Sequence, residues 1–272
     1  MSRGDASPHE RGGELEPSRH PSLSVGFLAA APLALLYEWG VHRMDGTVRN
    51  TAERILTLPL AWFGPAADPV RQFVLLAATL AALVVAVRVA RSEEEHVAPR
   101  VLRQLVEGAV VALALGPALI WSHRLLGSTH VDLGHGVAPG SIAPSLDAGA
   151  LVAGGAFFEE LVFRVGAIGL CFVLFRASLS FLGAPARAAH VAGESLAIVG
   201  AAALFAAFHL QVLSALVGGQ GEPFDGATFS WRFLGGCLLG LVFQWRGFGV
   251  AAWSHGLFNL ALLLGAGPGV LD

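Results

Sequence analysis

Seven stretches of this chain are apolar enough to cross a lipid bilayer as helices. A spanning helix needs about 20 mostly apolar residues, because the hydrocarbon core is roughly 30 Å thick. The predicted spans are residues 22–42, 70–90, 103–121, 147–175, 194–217, 231–246 and 248–265. Composition agrees, since 54% of the 272 residues are hydrophobic and only 14% are charged, against about a quarter charged in soluble domains. The expected fold is an all-α, polytopic transmembrane helix bundle.

The same composition excludes several other classes of protein. The charged fraction is too low for a soluble domain of this size, a disordered chain or a coiled coil. The net charge of −3 gives no basic surplus, so we expect no nucleic-acid partner. The apolar spans predict that the partner is the lipid bilayer. Cys171 and Cys237 both lie in apolar stretches, which predicts no disulfide framework.

Two segments depart from the spanning pattern. Residues 1–21 are polar, with mixed charges and several prolines and glycines, and we expect a disordered tail that lacks the apolar core of a signal peptide. Residues 50–64 are apolar but short and contain Pro59, which favours an interfacial or re-entrant segment. Whether these residues form an eighth span stays open. Residues 22–272 are expected to form a single integral membrane domain of seven or eight spans.

The distribution of arginine predicts how the bundle is oriented. With seven spans and a cytoplasmic N-terminus, the inner segments carry ten arginines and the outer segments six. This excess favours a cytoplasmic N-terminus under the positive-inside rule. If residues 50–64 also span, the count changes and the opposite orientation stays open.

Polar side chains within the predicted spans concentrate in three short motifs. They are EExxxR at Glu159, Glu160 and Arg164, FxxxH at Phe205 and His209, and HxxxN at His255 and Asn259. An ionisable residue at mid-bilayer costs about 2.5–3.5 kcal/mol on insertion scales and is a functional candidate by default. Lipid cannot satisfy such groups, so we expect the three helices to share one polar cavity.

Helical spacing gives the two adjacent carboxylates different surroundings. Glu160 and Arg164 are four residues apart and can pair along one face of a helix, whereas Glu159 points about 100° away. A carboxylate that faces a cavity without this partner is a candidate general acid or base. An ion pair that only fixes helix packing is the alternative, but it requires one glutamate and not two.

The histidines admit both a structural and a catalytic interpretation. A single histidine such as His209 on an apolar helix is often a core residue. His255 and Asn259 share a face and are candidates either for binding an oxyanion or for an interhelical hydrogen bond. No serine or cysteine is evidently paired with a base, so an activated water is the expected nucleophile. His123, His130, Asp132 and His135 share one Gly- and Pro-containing loop, which favours a solvated loop over a metal site.

Together the three motifs resemble the signatures of the CPBP family, the CAAX-protease and bacteriocin-processing intramembrane glutamic endopeptidases, which include the eukaryotic Ras-converting CAAX endopeptidase. The resemblance covers about residues 147–265, which carry all three motifs in order. It implies that Glu159 activates the hydrolytic water with help from His209 and that Glu160 supports this site. It also implies that Arg164 holds the acid pair, that His255 and Asn259 form an oxyanion hole, and that no metal or other cofactor takes part.

The expected function is therefore hydrolysis of a peptide bond in a membrane-associated protein or peptide substrate, by a multi-pass protein of the cytoplasmic (inner) membrane. All 17 basic residues are arginine, which with abundant Ala and Gly suggests a high-GC bacterium. A prenylated eukaryotic substrate is not expected there. Peptide maturation, bacteriocin immunity or C-terminal anchor processing of exported proteins fits better.

Two alternatives to this function stay open. The first is a non-catalytic membrane scaffold or immunity protein of the same family. The second is a metal-dependent hydrolase or a transporter that uses the same polar cluster.

Overall fold

The computed structural model describes residues 22–44, 48–92, 97–125 and 145–265, which are almost entirely helical. Its α-helices, in order, are α1 Leu23–Arg43, α2 Thr51–Thr57, α3 Ala67–Ser92, α4 Val97–Leu125, α5 Leu146–Glu160, α6 Gly169–Phe181, α7 Ala186–Ala207, α8 Gln211–Ala215, α9 Gly226–Arg246 and α10 Phe248–Leu263. Within these ranges the β-type pairing is one isolated bridge, between Leu210 and Glu222. The predicted all-α polytopic fold is confirmed, whereas the predicted tail, residues 1–21, lies outside the described residues.

Apolar helices account for most of the described chain. Six helical stretches are long and apolar enough to cross a bilayer, and α10 is a shorter apolar helix of 16 residues. Many large apolar side chains on these helices point outward, for example Leu113 (80% exposed) and Phe73 (73% exposed). Such surfaces are expected where the solvent is lipid, because lipid chains are as apolar as the side chains. The protein is a multi-pass membrane protein.

Residues 50–64 do not form a crossing of their own. Asn50 caps the seven-residue helix α2 by accepting a hydrogen bond from the backbone N–H of Ala52. A 3₁₀ segment, Leu58–Ala66, follows and bends at Gly64, whose φ of 55° places it in the left-handed region. Neither piece reaches the roughly 30 Å needed to span the hydrocarbon core. The segment instead connects the C-terminal end of α1 to the N-terminal end of α3.

The predicted span 194–217 is wrong at its C-terminal end. Helix α7 ends at Ala207, so His209 lies in the turn that follows rather than inside a span. In a continuing helix the carbonyl of Phe205 would accept from the backbone N–H of His209. Here it accepts from the imidazole of His209 at 2.8 Å, while the backbone N–H turns to Ala206. The side chain thus replaces a helical hydrogen bond and the helix stops.

Helix α5 is positioned by close contacts through small residues. A Cβ at Gly154 would lie 2.5 Å from the backbone nitrogen of Tyr37 on α1, and a Cβ at Gly256 on α10 would lie 2.7 Å from the carbonyl oxygen of Ala153. Only glycine allows the backbones to approach this closely, as is common in membrane bundles. These contacts hold the C-terminal turn of α5 between α1 and α10.

The helix that carries the first motif changes its winding directly after the two glutamates. Residues Leu161–Ile168 form a π-helix between α5 and α6, and the three pieces make one continuous crossing. π-helical turns widen the helix and occur frequently at functional sites. The change places Arg164 within the wider segment and Glu159 and Glu160 at its N-terminal edge.

Candidate active site

The two adjacent glutamates are buried at the end of α5. Glu160 is fully buried and Glu159 is 8% exposed. The predicted ion pair between Glu160 and Arg164 is present, with Oε2 and Nε separated by 3.0 Å and both side chains inaccessible to solvent. One carboxylate is therefore neutralised within its own helix, and Glu159 depends on groups from elsewhere in the bundle.

His255 on α10 lies between the two carboxylates. Its Nδ1–H donates to Oε1 of Glu160 at 2.9 Å, and its Nε2 lies 3.4 Å from Oε2 of Glu159. A histidine donates from both nitrogens only when it is protonated. In that form the cluster holds two negative charges, on Glu159 and Glu160, and two positive charges, on Arg164 and His255. A buried group of this kind is tolerated because its charges compensate one another.

His209 carries a free acceptor nitrogen and packs against Phe205. Because a carbonyl oxygen only accepts, the bond from His209 to Phe205 puts the proton on Nδ1 and leaves Nε2 with its lone pair in the neutral ring. His209 lies in the turn beyond the last residue of α7. Burial, and secondarily the charge of Arg232, lower its pKa to about 4. The ring is thus neutral at pH 7 and able to accept a proton.

The ring of Phe205 joins the polar groups of the three motifs. Its centroid lies 4.8 Å from that of His209 and 5.8 Å from that of His255. The guanidinium carbon of Arg164 lies over the same ring at 5.2 Å, a cation–π contact. Phe205 therefore fixes the relative position of both histidines and of the arginine that pairs with Glu160.

Asn50 completes the surroundings of Glu159 and was not singled out from the sequence. Its side-chain amide donates to Oε1 of Glu159, and its backbone N–H donates to the hydroxyl of Tyr37 at 2.7 Å. A Cβ at Gly155 would lie 2.9 Å from the Asn50 amide nitrogen, so glycine there admits the amide. The available signal was its pattern as a helix cap, Asn followed three residues later by Glu53.

A second contact missed from the sequence fixes the turn that carries His209. The backbone of Glu222 pairs with that turn, donating to the carbonyl of His209 at 3.0 Å and accepting from the N–H of Gln211 at 2.8 Å. The Glu222 carboxylate forms an ion pair with Arg232 on α9. The turn is thereby tied to α9 through one salt bridge and two backbone hydrogen bonds.

Asn259 is the one motif residue that the structure does not join to the cluster. It lies one helical turn after His255 on α10 and is half-buried. Within the described part of the chain its side chain makes no hydrogen bond, and both ring nitrogens of His255 face glutamates. The predicted oxyanion pair of His255 and Asn259 stays a prediction.

The histidine-rich loop contributes little to the described structure. His130, Asp132 and His135 lie outside the described residues. His123 is buried at the end of α4, with its Nε2 3.3 Å from the hydroxyl of Ser230. Its Nδ1 has no hydrogen-bond partner among the described residues, so this Ser–His pair lacks an orienting carboxylate. No group of three or more His, Cys, Asp or Glu side chains in the described ranges is arranged to hold a metal ion.

A comparison with protein families identifies the motif-bearing segment. Residues 141–261 match the family described as "Type II CAAX prenyl endopeptidase Rce1-like". The motif-bearing segment is Rce1-like. This confirms the family resemblance drawn from the motifs and indicates a membrane endopeptidase. Neither the comparison with curated proteins nor that with solved structures gave a match.

The Rce1-like segment does not contain the whole site. It holds the six predicted site residues, as well as Phe205, Glu222 and Arg232, but Asn50 lies about ninety residues before its first position. The N-terminal helices therefore contribute a direct ligand of Glu159 in addition to membrane topology.

Proposed function

We propose that the protein is a glutamic intramembrane endopeptidase of the cytoplasmic membrane, acting on a membrane-associated protein or peptide. The observation that carries the proposal is the position of Glu159. Its carboxylate is nearly buried and contacts His255 and Asn50, and His209 packs on the same Phe205 ring as His255. A water held between a buried carboxylate and a neutral imidazole is a nucleophile suited to peptide hydrolysis.

In the proposed reaction, Glu159 takes one proton from the water as its oxygen attacks the scissile carbonyl carbon, and Nε2 of His209 orients the water by accepting a hydrogen bond from its other hydrogen. The new C–O bond gives a tetrahedral intermediate, whose oxyanion is stabilised by the Asn259 amide and by Nε2–H of His255, which turns from Glu159 once that carboxylate has taken the proton. The C–N bond then breaks as the abstracted proton moves to the leaving amine. One water is consumed, and a carboxylic acid and an amine are released.

Glu160 and Arg164 act in this proposal as positioning residues. Glu160 orients His255 through the bond to Nδ1, and Arg164 compensates the charge that Glu160 buries. This leaves Nε2 of His255 directed toward Glu159. An orienting partner behind an imidazole is a recurrent feature of hydrolytic sites.

The test compares termini of membrane and secreted proteins in cells that carry the wild-type protein or Glu159→Gln at matched expression. We expect a set of proteins to accumulate uncleaved in the variant. Glu194→Gln is the matched control, because Glu194 is a half-exposed glutamate on α7 that pairs with His190. Identical termini in wild type and Glu159→Gln, together with a difference in a deletion strain, would overturn the protease and favour the scaffold.

A further inference from the structure

A small pocket lined by arginines lies beside the site, on the N-terminal side of the chain. It has a volume of about 110 Å³ and is bounded by α2, the 3₁₀ segment and the start of α3, with Val217 closing one side. Its polar lining consists chiefly of Arg49, Arg54 and Arg71, and its apolar lining includes Leu58 and Leu60. This space holds several water molecules and is therefore large enough for a phosphate-sized group.

The carboxylates that compensate two of these arginines are not among the residues that line the pocket. Glu53 is fully buried and pairs with Arg49 at 2.8 Å and with Arg71 at 3.3 Å. Arg71 also pairs with Glu38 at 3.2 Å, and Arg49 also pairs with Asp68 at 3.3 Å. The pocket is thus lined by guanidinium groups without an acidic side chain, and this arrangement favours an anion.

Arg54 is the uncompensated member of the group. It forms no ion pair or hydrogen bond within the described residues, and its Nε is buried without an acceptor. The Nε of Arg71 is also buried without an acceptor, on a residue only 2% exposed. Both Nε atoms are closed to solvent, so a ligand in the pocket would be bound through the terminal guanidinium nitrogens, and those of Arg54 have no partner among the described residues.

The surroundings of the pocket are those of a membrane interface. Trp62 and Phe63 of the 3₁₀ segment are 93% and 55% exposed, and exposed aromatic residues concentrate at the level of lipid headgroups. Asp68, at the start of α3, has a side chain that is 72% exposed. An interfacial position for this end of α3 would bring the guanidinium groups to the depth of lipid phosphates, with the apolar wall beside them.

We propose that this pocket binds the phosphate of an anionic phospholipid. Arginine matches phosphate oxygens through parallel N–H donors, and basic pockets between transmembrane helices are suited to lipid headgroups. A lipid whose headgroup also carries a cation binds less well, because that cation would lie close to three guanidinium groups. The ligand class is thus a phosphodiester with net negative charge and acyl chains.

The experiment measures lipid binding to the purified full chain in neutral detergent, by native mass spectrometry and by thermal unfolding. Dioleoylphosphatidylglycerol is the probe, and dioleoylphosphatidylcholine and inorganic phosphate are the comparisons. We expect the anionic lipid to bind and raise the melting temperature, and Arg54→Gln to weaken its binding at least tenfold. Because Arg54 has no partner among the described residues, its replacement is expected to leave the fold intact.

Two further variants separate a specific site from general surface charge. Arg187→Gln removes an exposed arginine at the start of α7 and is expected to leave lipid binding unchanged. Arg54→Lys keeps the charge without the planar donors and is expected to give an intermediate affinity.

Three results would overturn the assignment. The first is equal binding of the two lipids, or binding that Arg54→Gln does not change. The second is stabilisation by inorganic phosphate as large as that by the anionic lipid, which indicates a site for free oxyanions. The third is displacement of the lipid by a short peptide with a free carboxylate but not by its amidated form, which assigns the pocket to a peptide end. Glu159→Gln is expected to bind the lipid normally, so this test does not depend on the proposed protease activity.

Discussion

The side-chain amide of Asn50 donates a hydrogen bond to the carboxylate of Glu159, joining residues separated by 109 positions. The same asparagine accepts the N–H of Ala52 and so begins α2. One side chain thus caps a short helix and holds the proposed base. The N-terminal helices are part of the site, not only its support in the membrane.

Replacing Asn50 by alanine is expected to lower kcat/KM by about 10- to 150-fold, because a hydrogen bond to a charged group contributes about 1.5–3 kcal/mol. The measurement is the steady-state rate at which the purified protein hydrolyses a peptide substrate. Asn50→Ser is the informative companion, since serine caps helices as well as asparagine but is too short to reach Glu159. We expect Asn50→Ser to be as stable as the wild type and to have the low activity of Asn50→Ala. Full activity in Asn50→Ser would assign Asn50 to the cap alone.

The buried pair of Glu160 and Arg164 predicts a non-additive effect on stability. Removing one partner leaves a charge buried without compensation, which costs about 3–5 kcal/mol. Arg164→Met and Glu160→Gln are each expected to lower the unfolding free energy by this amount, and the double variant by much less than the sum. Tryptophan fluorescence during denaturant unfolding measures the cycle.

Arg103 and Glu107 on α4 provide the control for this cycle. They have the same spacing of four residues and a 2.7 Å contact, but the Arg103 side chain is 70% exposed. Exposed pairs contribute about 0–1 kcal/mol, so Arg103→Gln is expected to change stability little. Additive losses from Glu160→Gln and Arg164→Met would contradict the coupling seen in the structure.

The sequence predicts the spans and the pair of Glu160 and Arg164 because both depend on local patterns. Apolar runs record the burial of each helix in lipid, and residues four apart meet on any helix. The third of the predicted groupings, His255 with Asn259, shares a helix face as expected, but the contacts of His255 are to α5. Periodicity places a side chain on a face without identifying the group opposite it.

The contacts that were not predicted connect distant segments. Asn50 reaches Glu159 from a short segment in which hydrophobic periodicity is weak. Glu222, in the connection between α8 and α9, bonds to the backbone of the His209 turn and pairs with Arg232 on α9. The sequence prediction placed the end of α7 too late because the apolar run continues past the last helical residue. The helix ends earlier because the His209 side chain bonds to the Phe205 carbonyl in place of a backbone N–H. Such substitutions of side chain for backbone leave no trace in composition.

The tautomer of His209 predicts which substitutions preserve the fold. The side-chain amide of asparagine can donate to the Phe205 carbonyl in place of Nδ1–H, but it offers no base at the position of Nε2. His209→Asn is therefore expected to unfold at the temperature of the wild type and to lose peptide hydrolysis. His209→Ala is expected to lose peptide hydrolysis and also to unfold at a lower temperature, since the Phe205 carbonyl is left without its donor. Wild-type hydrolysis by His209→Asn would exclude His209 as a proton acceptor.

His209 also predicts how stability depends on pH. Burial lowers the pKa of the folded-state imidazole to about 4, below the value of about 6.5 for an exposed histidine. The unfolded chain therefore binds the proton more tightly, and the unfolding free energy falls as pH decreases from 6.5 toward 4. We expect a corresponding drop in the melting temperature of wild type that is smaller in His209→Asn. Parallel profiles for the two proteins would contradict the neutral, buried imidazole.

The close contact of α1 and α5 predicts that Gly154 does not tolerate even one methyl group. A Cβ there would meet the backbone nitrogen of Tyr37 at 2.5 Å, and backbone atoms cannot move aside as a side chain does. Gly154→Ala is expected to cost about 1–3 kcal/mol by overpacking and to reduce hydrolysis, because Tyr37 holds the backbone of Asn50. Gly169→Ala, in the same crossing, meets no atom within 4 Å and is expected to be neutral or slightly stabilising, since alanine favours helix by up to about 1 kcal/mol. Equal thermal stability and equal hydrolysis in both variants would show that the approach of α1 to α5 does not set the position of Glu159.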